Sequence, residues 1–226
     1  MEFKGAFIKY SSIVFKYLSD LFYPPICFYC KDYMKHDKVL CDKCLGHVNS
    51  VVSKKIDITP KYQVKVFAIS DYKDPLRSLI LSKGISDIVT SRRLGELMWD
   101  MTYVSNADFD FIVPIPLHWS RFASRGFNQA QEIASVIAKK SGKGMINILK
   151  RKKMTKRQSG LTSEKRIENL KDAFSLNIKD VESFRGKHLL IVDDLMTTSS
   201  TIRMAARTLM PLKPKFITAV VVCRVI

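Results

Sequence analysis

Apolar residues between positions 64 and 223 alternate between short continuous runs and longer stretches with helical spacing. The continuous runs predict strands that are buried on both faces: VKVFAIS, DFIVPIP, MINIL, HLLIVDD and KFITAVVVC. Four stretches with helical spacing lie between them: LRSLILSK after Pro75, residues 91–103, FNQAQEIASVIAKK and residues 200–210. Strands separated by helices predict an α/β domain with a mostly parallel sheet that is flanked by helices.

The segment before these runs shows a different organisation. Val48 to Lys61 mixes β-branched, polar and basic residues around Pro60. We predict a boundary here, with a small N-terminal unit of residues 1–60 and the α/β domain in residues 61–226. The chain has 226 residues, which is enough for one sizeable domain and a small module.

The first residues carry an amphipathic pattern of their own. Apolar residues recur at helical spacing from Phe3 to Leu21, lysines occupy other faces, and Pro24 ends the pattern. Docking on the protein's own core and lying on a membrane surface are both open for this helix. No apolar run approaches the roughly 20 residues of a membrane span, and lysines interrupt the stretch that resembles a signal peptide. We therefore expect a cytoplasmic protein.

Two C-x-x-C pairs follow this helix, and their members are Cys27, Cys30, Cys41 and Cys44. Each pair presents two sulfurs from one tight turn, and two such turns can close a tetrahedron around zinc. Disulfides or redox dithiols are the alternative, which a chain expected in the cytoplasm disfavours. We predict a structural zinc site. His36, between the pairs, is expected to be a solvated loop residue, and Cys223 a core residue.

The charge of the chain is strongly unbalanced. Lys and Arg number 38 against 21 Asp and Glu, so the net charge is +17. Such an excess favours polyanionic partners such as nucleic acid, a membrane surface or phosphorylated small molecules. Surface lysine without a partner role is the alternative. The hydrophobic content of 46% is typical of a globular protein with a packed core.

The stretch LLIVDDLMTTSST places two carboxylates at the end of a predicted strand and a hydroxyl-rich loop before a predicted helix. Backbone N–H groups at a helix N-terminus, helped by hydroxyl groups, make a phosphate site. Asp193 and Asp194 would repel a bare phosphate, but carboxylates accept hydrogen bonds from a ribose diol and coordinate Mg²⁺. A ribose that carries a 5′-phosphate is the implied ligand. Solvated aspartates beside an ordinary helix cap are the alternative.

This stretch resembles the phosphoribosyl diphosphate (PRPP) motif of type I phosphoribosyltransferases, with an aliphatic run, paired acids and a Thr-rich loop. The resemblance implies that PRPP and Mg²⁺ bind at Asp193, Asp194, Thr197, Thr198, Ser199, Ser200 and Thr201. The family loop usually has glycine where this chain has Ser199. Because glycine adopts positive φ more easily than serine, we expect reduced phosphate affinity or a differently shaped loop.

Further stretches are similar to the ComF family of competence-associated proteins. They are VPIPLHWSRFASRGFNQA, TKRQSGLTSEKRIENLKDAF and the paired C-x-x-C motifs. The resemblance implies a phosphoribosyltransferase-like fold with an N-terminal zinc finger and a role in natural transformation. Arg121, Arg125, Arg157 and Arg166 would contact diphosphate or DNA, and surface charge is their alternative role. Gly126 is expected in a tight turn, and Asn128 is expected to cap the following helix.

Two functions of different classes stay open. In the first, the protein binds a ribose phosphate and associates with internalised single-stranded DNA, with DNA-uptake or recombination proteins as further partners. In the second, it is an active phosphoribosyltransferase with an unidentified base or amine as acceptor. No catalytic base is evident, since His118 is the nearest candidate and a weak one. The segment from Lys150 to Lys171 would be a catalytic lid, a DNA-binding strip or a solvated loop.

Overall fold

The computed structural model of the protein describes residues 24–35, 38–48, 51–81, 87–152, 173–178 and 180–225. We number its α-helices and strands along the chain as follows: α1 (Asp42–Leu45), β1 (Val51–Thr59), β2 (Tyr62–Asp71), α2 (Leu76–Leu81), α3 (Ile88–Met101), β3 (Phe111–Pro114), α4 (Trp119–Arg125), α5 (Gln129–Ser141), β4 (Gly144–Met145), β5 (Leu149–Arg151), β6 (Phe174–Leu176), β7 (His188–Met196), α6 (Ser200–Leu209) and β8 (Phe216–Arg224). Short 3₁₀ turns cover Tyr103–Asn106, Glu182–Phe184 and Met210–Leu212.

Six strands form the main sheet in the order β1-β2-β8-β7-β3-β4. The pairs β2–β8, β8–β7, β7–β3 and β3–β4 are parallel, and only β1 joins its neighbour in the antiparallel sense. The strands β8, β2 and β7 carry continuous buried runs of seven, five and four residues, as strands covered on both faces require. The prediction of a mostly parallel α/β sheet flanked by helices is confirmed.

Alternate residues of β7 separate two cores. Leu190 and Val192 pack with apolar residues of α3 and α5 on one face of the sheet. Leu189 and Ile191 pack with α6 on the other face, as the two-residue period of a strand dictates. The core on the α3 side also contains Cys27, Met34, Val39, Leu40, Cys44 and Val48. The cysteine segment is therefore packed on the sheet domain through a shared apolar core.

The four helices predicted between positions 64 and 223 are confirmed with small shifts at their ends. The segment 91–103 becomes α3, which begins at Ile88 after Asp87, whose carboxylate accepts the N–H of Thr90 at 2.6 Å. In α5 the side chain of Asn128 caps the first turn, as predicted, and Gly142 ends the helix with φ 69°. None of the described helices is long and apolar enough to cross a bilayer.

Two predictions of local structure were wrong. Val48 to Lys61, predicted as a boundary segment, contains β1, which pairs with β2 at the edge of the main sheet. The run MINIL does not form one strand: β4 ends at Met145, and β5 begins at Leu149 and pairs with β6 in a separate two-stranded sheet. The predicted boundary at residue 60 thus falls at the turn between β1 and β2, and the division into two domains stays a prediction.

Candidate functional site

The four cysteines of the two C-x-x-C pairs meet in one cluster. All four Sγ atoms lie within 4.8 Å of one another, and the Sγ atoms of Cys30 and Cys41 are 3.6 Å apart. Sulfurs that bind one tetrahedral zinc ion at about 2.3 Å are separated from each other by about 3.8 Å. The cluster therefore has the size and the soft donor set that suit a metal ion such as zinc.

Backbone N–H groups at these turns point at the sulfurs. Cys41 caps α1, and its Sγ accepts the N–H of Cys44 at 3.4 Å, while its own N–H donates to the Sγ of Cys27 at 3.3 Å. Burial acts to raise the pKa of Cys27, but the backbone donors of Cys41, Cys30 and Tyr29 lower it to about 6. For Cys44, burial raises the pKa to about 12. Because metals bind thiolates, loading of this cluster releases protons.

A cavity of about 500 Å³ opens beyond the carboxyl ends of β3 and β7. Parallel α/β sheets bind their ligands at the carboxyl ends of the strands. The volume of this cavity is in the range of small-molecule sites. Its walls come from three separate parts of the chain: the loop after β3 with the helices α4 and α5, the end of β5, and the end of β7 with the loop and first turn of helix that follow it. The fold thus assembles one cavity from residues that are far apart in the sequence.

Asp193 and Asp194 line this cavity near the end of β7. The N–H of Asp194 donates to Oδ1 of Asp193 at 3.0 Å, and the N–H of Leu195 donates to Oδ1 of Asp194 at 2.8 Å. Burial, and then the neighbouring charge of Asp194, raise the pKa of Asp193 well above its usual range, although part of its surface stays accessible from the cavity. A bound divalent cation or a positively charged ligand would relieve this electrostatic cost.

The loop after β7 leads directly into the N-terminus of α6. Thr197 and Thr201 line the cavity, and the hydroxyls of Thr198 and Ser200 are 2.8 Å apart. Ser199 has φ 57° and ψ 0°, and its hydroxyl donates to the carbonyl oxygen of Thr198 at 2.6 Å. The serine thus adopts the left-handed conformation that glycine takes at low cost. The loop keeps a glycine-like backbone path, and the predicted effect on phosphate affinity stays a prediction.

The two arginines that follow β3 lie on α4. Arg121 and Arg125 both line the cavity, together with Ser124. Buried His118 begins this helix, because its Nδ1 accepts the N–H of Ser120 at 3.3 Å. Gly126 ends it with φ 80°, as expected for a tight turn. Since His118 serves as a helix cap and is outside the cavity lining, the position of its ring does not favour a role as catalytic base.

Arg151, at the end of β5, is the charged residue of the cavity that the sequence analysis did not assign to a ligand site. It reaches the cavity beside Asp193, and its guanidinium lies 5.5 Å from the ring centroid of Phe174. Burial, followed by the positive charge of Arg121, lowers its pKa, while Asp193 acts in the opposite direction. Arg151 could not be recognised in the sequence because it is one of several consecutive basic residues. Only its position at the end of β5 distinguishes it from its neighbours.

The structure therefore brings together Asp193, Asp194, the loop from Thr197 to Thr201 and the two arginines of α4. Thr198, Ser199 and Ser200 belong to the loop but do not line the main cavity. Several predicted features lie outside the described residues: Arg157, Arg166, His36, the predicted N-terminal helix and most of the basic segment. Asn128 both caps α5 and donates from Nδ2 to the carbonyl oxygen of Ile115 at 2.9 Å. That bond fixes the start of α5 against the strand end that forms the cavity wall.

The sheet order, the paired acids and the loop define an α/β protein of the phosphoribosyltransferase class. Residues 105–226, more than half of the chain, match the family model described as "Phosphoribosyl transferase domain". The chain therefore belongs to the phosphoribosyl transferase family, and its cysteine pairs and its relatives place it in the ComF group within that family.

Two of those relatives cover most of the chain at low identity, and the third covers less than half of it. Competence protein F of Haemophilus influenzae is 29% identical over 192 residues, which is 82% of this chain and 78% of that protein. DNA utilization protein YhgH of Escherichia coli K12 is 28% identical over 195 residues, or 82% and 84%. Competence protein ComFC of Bacillus subtilis is 33% identical over 99 residues, or 44% and 38%.

Proposed function

We propose that this protein binds PRPP or a related ribose 5-phosphate with Mg²⁺, and that it associates with internalised single-stranded DNA during natural transformation. The observation that carries the first part is the cavity itself. One edge of the sheet combines a hydroxyl-rich loop at a helix N-terminus, a carboxylate pair and three arginines. Each of these groups would bind a different part of such a ligand.

The phosphate end of the ligand fits the loop at the N-terminus of α6. The helix is ten residues long, and its first backbone N–H groups and positive dipole end favour an anion. The left-handed Ser199 turns the backbone there, which supports a loop that closes around a phosphate.

The sugar and the metal fit the paired carboxylates. Asp193 and Asp194 would accept hydrogen bonds from the ribose hydroxyls and hold Mg²⁺, which prefers oxygen ligands. Mg²⁺, when bound, would supply positive charge against the diphosphate. Arg121, Arg125 and Arg151 would neutralise the rest of that charge, since guanidinium groups bind phosphate oxygens in pairs.

The role in DNA handling rests on the relatives and on charge. Two relatives carry the name competence protein, and another is named for DNA utilization. The net charge of +17 favours binding to a polyanion. The cluster of free thiols that suits zinc favours a reducing compartment, and we place the protein in the cytoplasm, where internalised DNA and recombination proteins are found.

Titration calorimetry with PRPP and Mg²⁺ tests the ribose-phosphate site. We expect saturable binding by the wild-type protein and loss of at least about 100-fold in affinity for the double variant Asp193→Asn/Asp194→Asn, because both ligand contacts and metal ligands are removed. Arg151→Gln should weaken binding by about tenfold or more, since it removes a charge-assisted contact.

Asp108→Asn is the matched control, because Asp108 is an exposed carboxylate that precedes β3 at the opposite end of that strand. It should bind PRPP as the wild type does. A folded wild-type protein that does not bind PRPP, or a double variant that binds it unchanged, would overturn the proposed site.

Phosphoribosyl transfer is the second candidate, and the family match favours it. The raised pKa of Asp193 also favours this carboxyl group as a proton donor or acceptor in the cavity. Release of diphosphate from PRPP that requires an added base, together with detection of the phosphoribosylated base by mass spectrometry, would establish transfer. Binding of PRPP without any release would leave the binding function.

A further inference from the structure

Helix α4 buries none of its seven residues. Its position is fixed by its two ends, through the His118 cap and the left-handed Gly126, and not by an apolar face against the core. Yet it carries two large aromatic residues: 73% of Trp119 and 49% of Phe122 are exposed to solvent. A single exposed aromatic residue is ordinary, but two on one turn of an otherwise unburied helix form an apolar patch that a partner would cover.

The aromatic residues and the cavity residues occupy adjoining faces of this helix. At about 100° per residue, Trp119 and Phe122 are separated by about 60° around the axis. Arg125 follows Phe122 by about another 60° in the same direction, and Arg121 lies about 40° beyond Arg125. Arg121 and Arg125 line the cavity. Arg125 therefore stands at the border between the aromatic face and the mouth of the cavity.

Aromatic rings beside arginines match the chemistry of a single-stranded nucleic acid. Unpaired bases offer flat faces that stack on Trp and Phe, and each step of the backbone brings a phosphate for a nearby cation. The net charge of +17 adds a long-range attraction for such a polyanion. A duplex would not use this patch in the same way, because its bases are stacked on each other.

We propose that α4 binds single-stranded DNA across the mouth of the cavity, with bases stacked on Trp119 and Phe122 and a backbone phosphate at Arg125. This inference rests on the DNA-binding part of the proposed function and adds the contact surface to it. The strand lies outside the ribose-phosphate site, since neither aromatic residue lines the cavity. The two ligands meet only at the arginines of α4.

Fluorescence anisotropy with a labelled oligothymidylate of about 16 nucleotides tests this surface. We expect Trp119→Ala and Phe122→Ala each to weaken binding by about 5- to 150-fold, the range for loss of one stacked base. Trp119→Phe should recover most of the affinity, because it restores a flat ring. Both alanine variants should bind PRPP as the wild type does, which separates this surface from the ribose-phosphate site.

Phe216→Ala is the matched control. Phe216 is 55% exposed, Lys215 lies 5.8 Å from its ring centroid, and it stands at the start of β8, the opposite edge of the sheet from the cavity. This variant removes a similar aromatic–basic pair and should bind the oligonucleotide within about twofold of the wild type.

Salt dependence distinguishes the two kinds of contact. The slope of log affinity against log salt is negative, and Arg125→Gln should make it less steep by about 0.7, the value for one phosphate contact in a single strand. Trp119→Ala should leave that slope unchanged, because stacking releases no counterions.

Wild-type binding with unchanged affinity in both alanine variants would overturn the inference and leave DNA binding elsewhere on the protein. No binding of the oligothymidylate by the wild type would overturn it together with the DNA part of the proposed function, while the calorimetric result with PRPP would stand on its own. Tighter binding of an oligouridylate of the same length would overturn the choice of DNA.

Discussion

The cysteine cluster and the cavity draw their residues from the chain in opposite ways. The four cysteines lie between residues 27 and 44, and two tight turns bring them together. The cavity takes its residues from positions between 115 and 201, and only the parallel sheet brings Arg125, Arg151 and Asp193 to one place. A local site of this kind depends on the ion that it binds, whereas a site built on the sheet depends on the fold around it.

The two regions should therefore fail in different ways. Loss of the metal removes the free energy that holds a segment with little core of its own. Changes in the cavity remove ligand contacts, and some of them should even stabilise the free protein, because charges assembled for a ligand are costly without it. The following experiments test this contrast, beginning with the change of largest expected effect.

Cys44→Ser should cause the largest loss of stability. A structural zinc ion contributes on the order of 10 kcal/mol in isolated zinc-finger peptides, and Cys44 is buried in the same core as Leu94 and Met98 of α3. We expect native mass spectrometry to show about one zinc ion per wild-type chain and almost none in the variant. The midpoint of thermal unfolding should fall by about 5 °C or more.

Cys223→Ala is the control, because Cys223 is buried in β8, outside the cluster. It should lose some core packing but keep its zinc. Chelation of the wild-type metal should lower the midpoint in the same way as Cys44→Ser. A metal-free wild type with an unchanged midpoint would contradict the contrast between the two regions.

The cysteine cluster could be predicted from sequence because its spacing is local. The carboxylates and the loop could be predicted because they follow a continuous apolar run that defines the end of a strand. Arg151 could not, since its partners in the cavity lie about 30 and 40 positions away on either side, and nothing in a basic run marks the residue that meets them. Contacts of that kind depend on the register of the whole sheet.

Strand β1 shows a second limit. Its buried residues Ile56 and Ile58 alternate with polar ones, but the pairing with β2 shifts register after Val51 and again after Asp57. These irregularities interrupt the two-residue period that would have identified the strand. The prediction of one strand for MINIL was wrong for a related reason. Its last residue begins β5, whose partner β6 (Phe174–Leu176) lies beyond the basic segment and is not evident from the local pattern.

Asp193→Asn should increase the stability of the free protein, whereas the loss of zinc should decrease it. In the free protein, burial and the charge of Asp194 raise the pKa of Asp193, so ionisation costs about 1.4 kcal/mol for each pKa unit of the shift. The amide has no such cost. We expect the variant to unfold at a higher denaturant concentration than the wild type at pH 7, and to have lost its affinity for PRPP with Mg²⁺.

The pH dependence gives the sign of this effect. A carboxyl whose pKa is raised in the folded state contributes stability below its unfolded pKa, near 3.8, and this contribution is lost as the pH rises through the folded pKa. The advantage of Asp193→Asn should thus be small at pH 4 and grow with rising pH. An advantage that shrinks over this range, or a variant less stable than the wild type at pH 7, would contradict a charge that is costly without a ligand.

Ser199→Gly is expected to have the smallest effect and tests whether the serine disables the loop. Because Ser199 already has φ 57°, glycine would relieve about 1 kcal/mol of backbone strain without changing the path of the loop. We expect a small rise in the free energy of unfolding by chemical denaturation and a change in PRPP affinity of less than about threefold. Ser199→Val is the comparison, since a β-branched residue strongly disfavours this conformation, and both stability and affinity should fall. A gain of tenfold or more in affinity for Ser199→Gly would show instead that the serine impairs the phosphate site. The wild-type protein would then bind PRPP more weakly than its carboxylates and arginines would allow.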